Sequence, residues 1–298
     1  MLSPIIVFAY NRPDHLRRTL QALDQNELAE KSELFVFVDG AKNERDQEKV
    51  HETKRVLKDF EEKNHFQKIE ITASKENKGL ADSIISGVTR VFERHETVIV
   101  LEDDLITASD FLRYMNDCLT YYRDDERIGA ISAYTPDFKV PSKYGHDLFL
   151  SKRGNSWGWA TWRCVWEKTD WNVSDFDVLR KERKRQREFA ATQYRSVEML
   201  YEQMEGKIDS WAIRWDYSFF VRGLYTVYPV RTKVQNIGCD GSGTHGVNEE
   251  QKNTDLDETH SYRLEKLEAD DRMVRLSSGN KSRFTELCSR VIRKVKRT

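Results

Sequence analysis

The sequence predicts an α/β fold built on a doubly wound, mostly parallel sheet, and three observations carry that prediction. Short apolar runs rich in β-branched residues recur at 4–10, 33–41, 68–74 and 97–105. Between them lie stretches whose apolar residues have helical spacing, long enough to cross back over a sheet. Polar residues gather directly after the apolar runs: Asn11 and Arg12, Asp39 and Gly40, and Glu102 to Asp104. In such sheets ligands bind at the carboxyl ends of the strands, so the coincidence points to one binding edge.

"PIIVFAY" reads as a central strand, apolar on both faces. "NRPDHLRRTLQALDQ" follows as a helix, with Leu16, Leu20 and Leu23 on one face and Pro13 and Asp14 suited to its first turn. "ELFVFVDGA" is the second strand and its loop. Residues 44–63 form a charged helix with Val50, Val56, Leu57 and Phe60 inward. "KIEITAS" is the third strand, "NKGLADSIISGVTRVFE" a glycine-started helix and "TVIVLEDDL" the fourth strand. Beyond 106 the expectation is a helix near 109–123, a strand in "IGAISAY", a helix around 189–205 and a strand in "LYTVYPV". All seven tryptophans lie between Trp157 and Trp215. Trp159, Trp162 and Trp166 are spaced to share one helical face in the core. "QNIGCDGSGTHG" is a glycine-rich loop. The chain therefore divides at about 106 and 247, leaving a polar tail over 248–298.

With 298 residues, 38% apolar and 33% charged, the chain has the composition of a soluble globular protein with a sizeable core. Forty-nine Lys and Arg balance 50 Asp and Glu, which gives no global field for nucleic acid. Cys118, Cys164, Cys239 and Cys288 are far apart and form neither a metal pattern nor a disulfide framework. The apolar N-terminal run lacks a basic lead and is too short for a signal peptide or a membrane span. A cytoplasmic location is expected, at the inner face of a membrane if the tail binds lipid.

Three adjacent carboxylates at the end of a buried strand repel one another and resist losing water. In an extended chain Glu102 and Asp104 share one side and Asp103 takes the other. A hard cation, Mg2+ or Mn2+, would neutralise them and bridge to a diphosphate; a solvated loop is the plainer reading. Asp39 could accept a hydrogen bond from a base or a ribose, or simply make an Asp-Gly turn. Lys78 and Gly79 open a helix whose N-terminus could face a phosphate.

Taken in order, "VFAYNRPDHLRRTL", "VFVDGA", "NKGLADSI" and "VIVLEDDL" resemble the GT-A-fold glycosyltransferases, both bacterial family-2-like members and, more distantly, N-acetylglucosaminyltransferase I. "NSWGWATWRCVW" and "KIDSWAIRWDYSFF" extend the resemblance to about residue 246. It implies a Rossmann-like nucleotide-sugar half (1–106) and an aromatic-rich acceptor half (107–247). It also implies a UDP-sugar donor and a glycan or lipid-linked acceptor. Asp104 would be the direct metal ligand, with Glu102 and Asp103 holding donor hydroxyls or metal-bound water. Asp39 would face the uracil or ribose, and Ala9, Tyr10 and Arg12 would line the base pocket. His245 would join the metal or the diphosphate. The "NSWGWATWRCVW" loop, with Trp157 and Gly158, would lie beneath the acceptor, as would Trp211.

An inverting transfer needs a carboxylate to take the acceptor's proton. Asp209 and Asp216 both stand among aromatics; Asp209 is preferred, and its plainer role is to cap a helix starting near Ser210. At seven residues apart the two could share a helical face. "KSRFTELCSRVIRKVKRT" reads as a basic amphipathic helix for an anionic membrane or as a solvated terminus. Two other functions compete. A sugar nucleotidyltransferase would carry a glycine-rich loop where "AYNRPDH" stands and would make pyrophosphate. A glycan-binding protein of the same fold would keep its ligand after Asp104→Ala.

Overall fold

The computed structural model describes residues 2–240 and 255–280. Its first half follows the expected alternation. Strand β1 (Ile5–Ala9) leads to helix α1 (Pro13–Asp24), β2 (Glu33–Val38), α2 (Glu44–Glu61), β3 (Lys68–Ala73), α3 (Leu80–Phe92) and β4 (Thr97–Glu102). These strands lie in the order β3-β2-β1-β4, all parallel, with Val7 between Val36 and Leu101. Every residue of β1 is buried, as both faces are covered by helices.

The second half adds β5 (Leu105–Thr107), α4 (Phe111–Tyr121), β6 (Ile128–Ser132), β7 (Leu148–Ser151) and β8 (Trp159–Trp162). Helices α5 (Arg163–Trp166), α6 (Phe176–Lys181), α7 (Arg183–Ala190), α8 (Ser196–Met204) and α9 (Trp211–Arg222) follow. Then come β9 (Tyr225–Pro229), β10 (Val234–Asn236) and α10 (Asp271–Ser277). The sheet continues β4-β8-β6-β9-β7, giving eight strands, while β5 and β10 form a separate antiparallel ribbon. Strand β8 runs antiparallel to both neighbours, and β7 antiparallel to β9.

Three expectations are corrected. Trp159, Trp162 and Trp166 do not share a helical face: the first and third steps of the motif belong to different elements. Trp159 and Trp162 sit in β8, and only Arg163–Trp166 is helical. Burial holds all the same, because the Trp159 ring stacks on Trp166 at 5.8 Å and on Trp211 at 5.2 Å. The charged run at 180–188 falls in α6 and α7, in keeping with its reading as a solvated helical face, but the helix expected over 189–205 is interrupted: α7 ends at Ala190 and Arg195 stands at φ 59° just before α8.

Finally, residues 255–280 are no tail. Tyr262 packs edge-on against Tyr114 and donates to Asp117 at 2.6 Å, and Met273 is fully buried beside Phe149 and Tyr228. No helix among the described residues is long and apolar enough to cross a membrane. His245 and the basic segment at 281–298 lie outside the described residues.

Candidate functional site

The carboxyl ends of β1, β2 and β4 converge, and the polar residues after them meet there. Arg12 donates to Asp104 at 2.7 Å. The Tyr10 amide donates to Asp103 at 3.1 Å, and its hydroxyl donates to Asp46 at 2.9 Å. The Asp104 carbonyl accepts from the Ile237 amide, which ties this edge to the chain after β10. Thr19 on α1 donates to the Asp103 carbonyl at 2.8 Å.

Burial pushes the Glu102 carboxyl well above the usual range, and the neighbouring Asp104 and Asp103 add to the rise. Asp103 is raised to about 7 by burial and by Asp104, against the pull of the Tyr10 amide and Arg12. Ionising all three carboxylates together is therefore costly at this edge, where Arg12 pairs with Asp104. Among the described residues, no group of three or more His, Cys, Asp or Glu side chains is arranged to hold a metal ion.

Asp39 is placed differently from the expectation. Its two oxygens accept from the amides of Lys78 and Gly79 and from the Asn77 side chain at 2.9–3.1 Å, and also from its own neighbour Gly40. These bonds use the lone pairs that a base or a ribose would need. They also take up the Lys78 and Gly79 amides that a phosphate was expected to meet. Asp39 is thus a clasp for the 74–79 loop, and the exposed Lys78 side chain is what remains for a ligand. Ala9 is buried, with its carbonyl accepting from the Asp39 amide.

A Cβ on Gly40 would fall 2.6 Å from the Glu76 carbonyl oxygen and 2.9 Å from the Asn77 nitrogen, both backbone. Gly40→Ala is therefore expected to push the clasped loop away. Faster amide hydrogen exchange at residues 77–79 would register it, and unchanged exchange would count against the clasp.

The tryptophan loop leads into β8, whose first residue, Trp159, pairs with Val100 on β4, two residues before Glu102. Gly158 turns the chain there at φ +65°, and a Cβ on it would meet Val234 at 2.9 Å. Gly158 therefore shapes the loop and offers an acceptor no side chain. Trp157 packs edge-on against Tyr134 at 4.6 Å and lines a cleft with Trp211, Trp215 and Asp216. Trp211 is 3% exposed and is mainly core, with one edge toward this cleft.

Asp209 and Asp216 part company. Ser210, not Asp209, caps α9 by accepting from the Ile213 amide. Asp209 lies before the helix, 3.3 Å from Arg214, with an oxygen 3.6 Å from where a Cβ on Gly79 would stand. Asp216 lies inside α9, buried in the cleft wall, and burial raises it to about 7. The idea that both share one helical face fails because only one of them is helical. Sequence reasoning also missed Arg153 and Gln193, which line the same cleft; neither belongs to a periodic or acidic motif that would have marked it.

Comparison with solved structures finds S. aureus TarS at 9% identity and a TM-score of 0.48, over 78% of this chain and 36% of that one. A second structure, S. aureus TarS 1-349, is similar at 10% identity and a TM-score of 0.45, over 78% and 60%. The present chain thus spans about a third of the first of these and three-fifths of the second. No curated protein matches. The model of the GNT-I family matches residues 1–199 of the 298, a span that holds the whole carboxylate edge and the Trp157 loop. The chain belongs to the GNT-I family of glycosyltransferases.

Proposed function

We propose that this chain transfers a sugar from a UDP-sugar to a hydroxyl of a glycan or lipid-linked acceptor, with inversion at the anomeric carbon. The synthesis of a surface polysaccharide or similar glycan is the setting that suits such a reaction. The observation that carries the reading is the juxtaposition at one sheet edge. Glu102, Asp103 and Asp104 stand beside Arg12 and Tyr10, and an aromatic cleft opens at the loop that enters β8, the neighbour of β4 in the sheet.

The donor set suits Mn2+ or Mg2+. These ions take oxygen ligands and are often held by one or two carboxylates plus substrate phosphates, so three protein ligands are not required. The Arg12 guanidinium on Asp104 shows that this carboxylate already attracts a cation. Asp104 would hold the metal, with His245 as its candidate second ligand. A bound divalent ion would supply charge neutralisation for the departing diphosphate. Arg12, released from Asp104, would be free to pair with phosphate oxygens through its planar fork. Lys78 offers a second cation at the same edge. Tyr10 closes the base side, and Glu102 and Asp103 would order donor hydroxyls. Asp209, next to Gly79, would take the acceptor proton.

The experiment is a UDP-release assay over several UDP-sugars with Mn2+, combined with a melting curve. Saturating UDP and Mn2+ at about 100 times Kd should add about 2.7 kcal/mol of stability. No hydrolysis, no transfer and an unchanged melting temperature would together overturn the reading.

A further inference from the structure

The cleft beside Trp157 and Trp211, about 190 Å3 in volume, contains groups that sugar transfer as such does not require. Arg153 stands half-buried in its wall, and among the described residues its guanidinium makes no ion pair and no hydrogen bond. A partly desolvated guanidinium with no counter-ion among the described residues is notable, because such charges are normally paired. The acid that faces it, Asp216, is itself buried, and burial raises that carboxyl to about 7 against the opposing effects of Arg153 and the Gly154 amide. Near neutral pH the acid therefore answers only part of the arginine's charge.

A second, independent observation lies across the cleft. The Gln193 side-chain oxygen is buried with no hydrogen-bond partner. An orphaned acceptor of this kind costs free energy until a donor fills it. The remaining walls are aromatic, from Tyr134, Trp157, Trp211 and Trp215, and suit the apolar face of a pyranose ring. The cleft thus offers a planar cation, an unfilled acceptor and ring-stacking surface together, at the loop that enters β8.

We infer that this cleft is a subsite for an anionic sugar of the acceptor. Arg153 receives its carboxylate or phosphate, Gln193 accepts from a ring hydroxyl, and Trp157 and Trp211 flank the ring. The inference rests on the glycosyltransferase reading and deepens it by naming the acceptor class. A guanidinium fork matches both carboxylate and phosphate, so the shared chemistry is an oxyanion on a sugar.

The test measures binding of three probes to the intact protein by ligand-observed NMR: methyl glucuronide, glucose 6-phosphate and neutral methyl glucoside. The expected result is a preference of about ten-fold or more for at least one anionic probe, the size of one charge-assisted hydrogen-bonded pair. Which anionic probe wins distinguishes carboxylate from phosphate. Arg153→Gln should erase the preference. Asp216→Asn, which imitates the neutral acid, should keep it and so guards against a variant that merely misfolds. Equal binding of all three probes, binding of none, or a preference that survives Arg153→Gln overturns the subsite. UDP binding on the same preparations is read separately. Its loss sinks the transfer reading, whereas UDP binding without an anion preference sinks only this inference.

Discussion

Replacing Lys233 by alanine is expected to lower the unfolding free energy by about 3–5 kcal/mol, the range for breaking a buried ion pair from one side. Lys233 is 1% exposed and lies 2.8 Å from Asp110 and 3.1 Å from Asp257, both buried. Its ammonium also donates to the Asp257 carbonyl at 3.1 Å. Without it, two carboxylates face each other away from water. One Asp110 oxygen already lacks a partner, and the other nearby cations, Arg113 by Asp110 and Arg231 by Asp257, stand off at 3.7 Å each.

The effect reaches beyond the sheet. Asp257 begins the stretch that returns along α4, where Tyr262 and Arg113 continue the attachment. Chemical denaturation at two pH values checks the prediction. In the wild type, burial opposes ionisation of Asp257, but hydrogen bonds from Thr259 and Lys233 outweigh it, and the pKa is lowered. A depressed acid contributes stability that is present above its unfolded value near 3.9 and is lost as pH falls through the folded value. The variant lacks much of that contribution, so the gap between the two proteins should narrow toward low pH. A constant gap, or one below about 1 kcal/mol at pH 7, would refute the triad's role.

The parallel half was legible because strands covered on both faces must be apolar throughout. β1, β2 and β4 could then be read as unbroken runs, with helical periodicity between them. The carboxylate edge was legible for a related reason: Glu102 to Asp104 interrupt such a run, and only a special environment tolerates them. The second half hid its strands. Trp159, Trp162 and Trp166 repeat at three and four residues, which imitates a helix, yet β8 is selected by pairing with Val98 to Val100 on β4. That preference is tertiary and leaves no local trace.

Asp39 shows the same limit at the level of chemistry. Its position after β2 was readable, but its partners sit about forty residues away in the 77–79 loop. Asp216 was open to a surface reading because an acid carries no sign of burial. The 255–280 stretch is polar in sequence and is held mostly by hydrogen bonds, which no hydropathy pattern registers.

Asp209→Asn is expected to reduce kcat by about 10²–10⁴, the usual contribution of a positioned general base, while UDP affinity stays unchanged. Position decides between the two acids. Asp209 lies against the Gly79 turn, at the edge where Asp39 holds the loop after β3. Asp216 lies five residues beyond Trp211, about 7.5 Å further along α9 and away from that turn. A base must reach the hydroxyl that attacks the donor sugar, so the acid nearer the carboxylate edge is better placed. Asp209 is largely exposed, with a side-chain accessibility of 60%, and its replacement should leave the melting temperature unchanged. Loss of turnover could then not be ascribed to unfolding. Asp216→Asn should instead leave kcat nearly unchanged, because its carboxyl faces Arg153 in the cleft rather than the donor edge. Steady-state kinetics of both variants with one UDP-sugar separates the roles: a large kcat loss confined to Asp216→Asn would transfer the base to the cleft and leave Asp209 as a partner for Arg214.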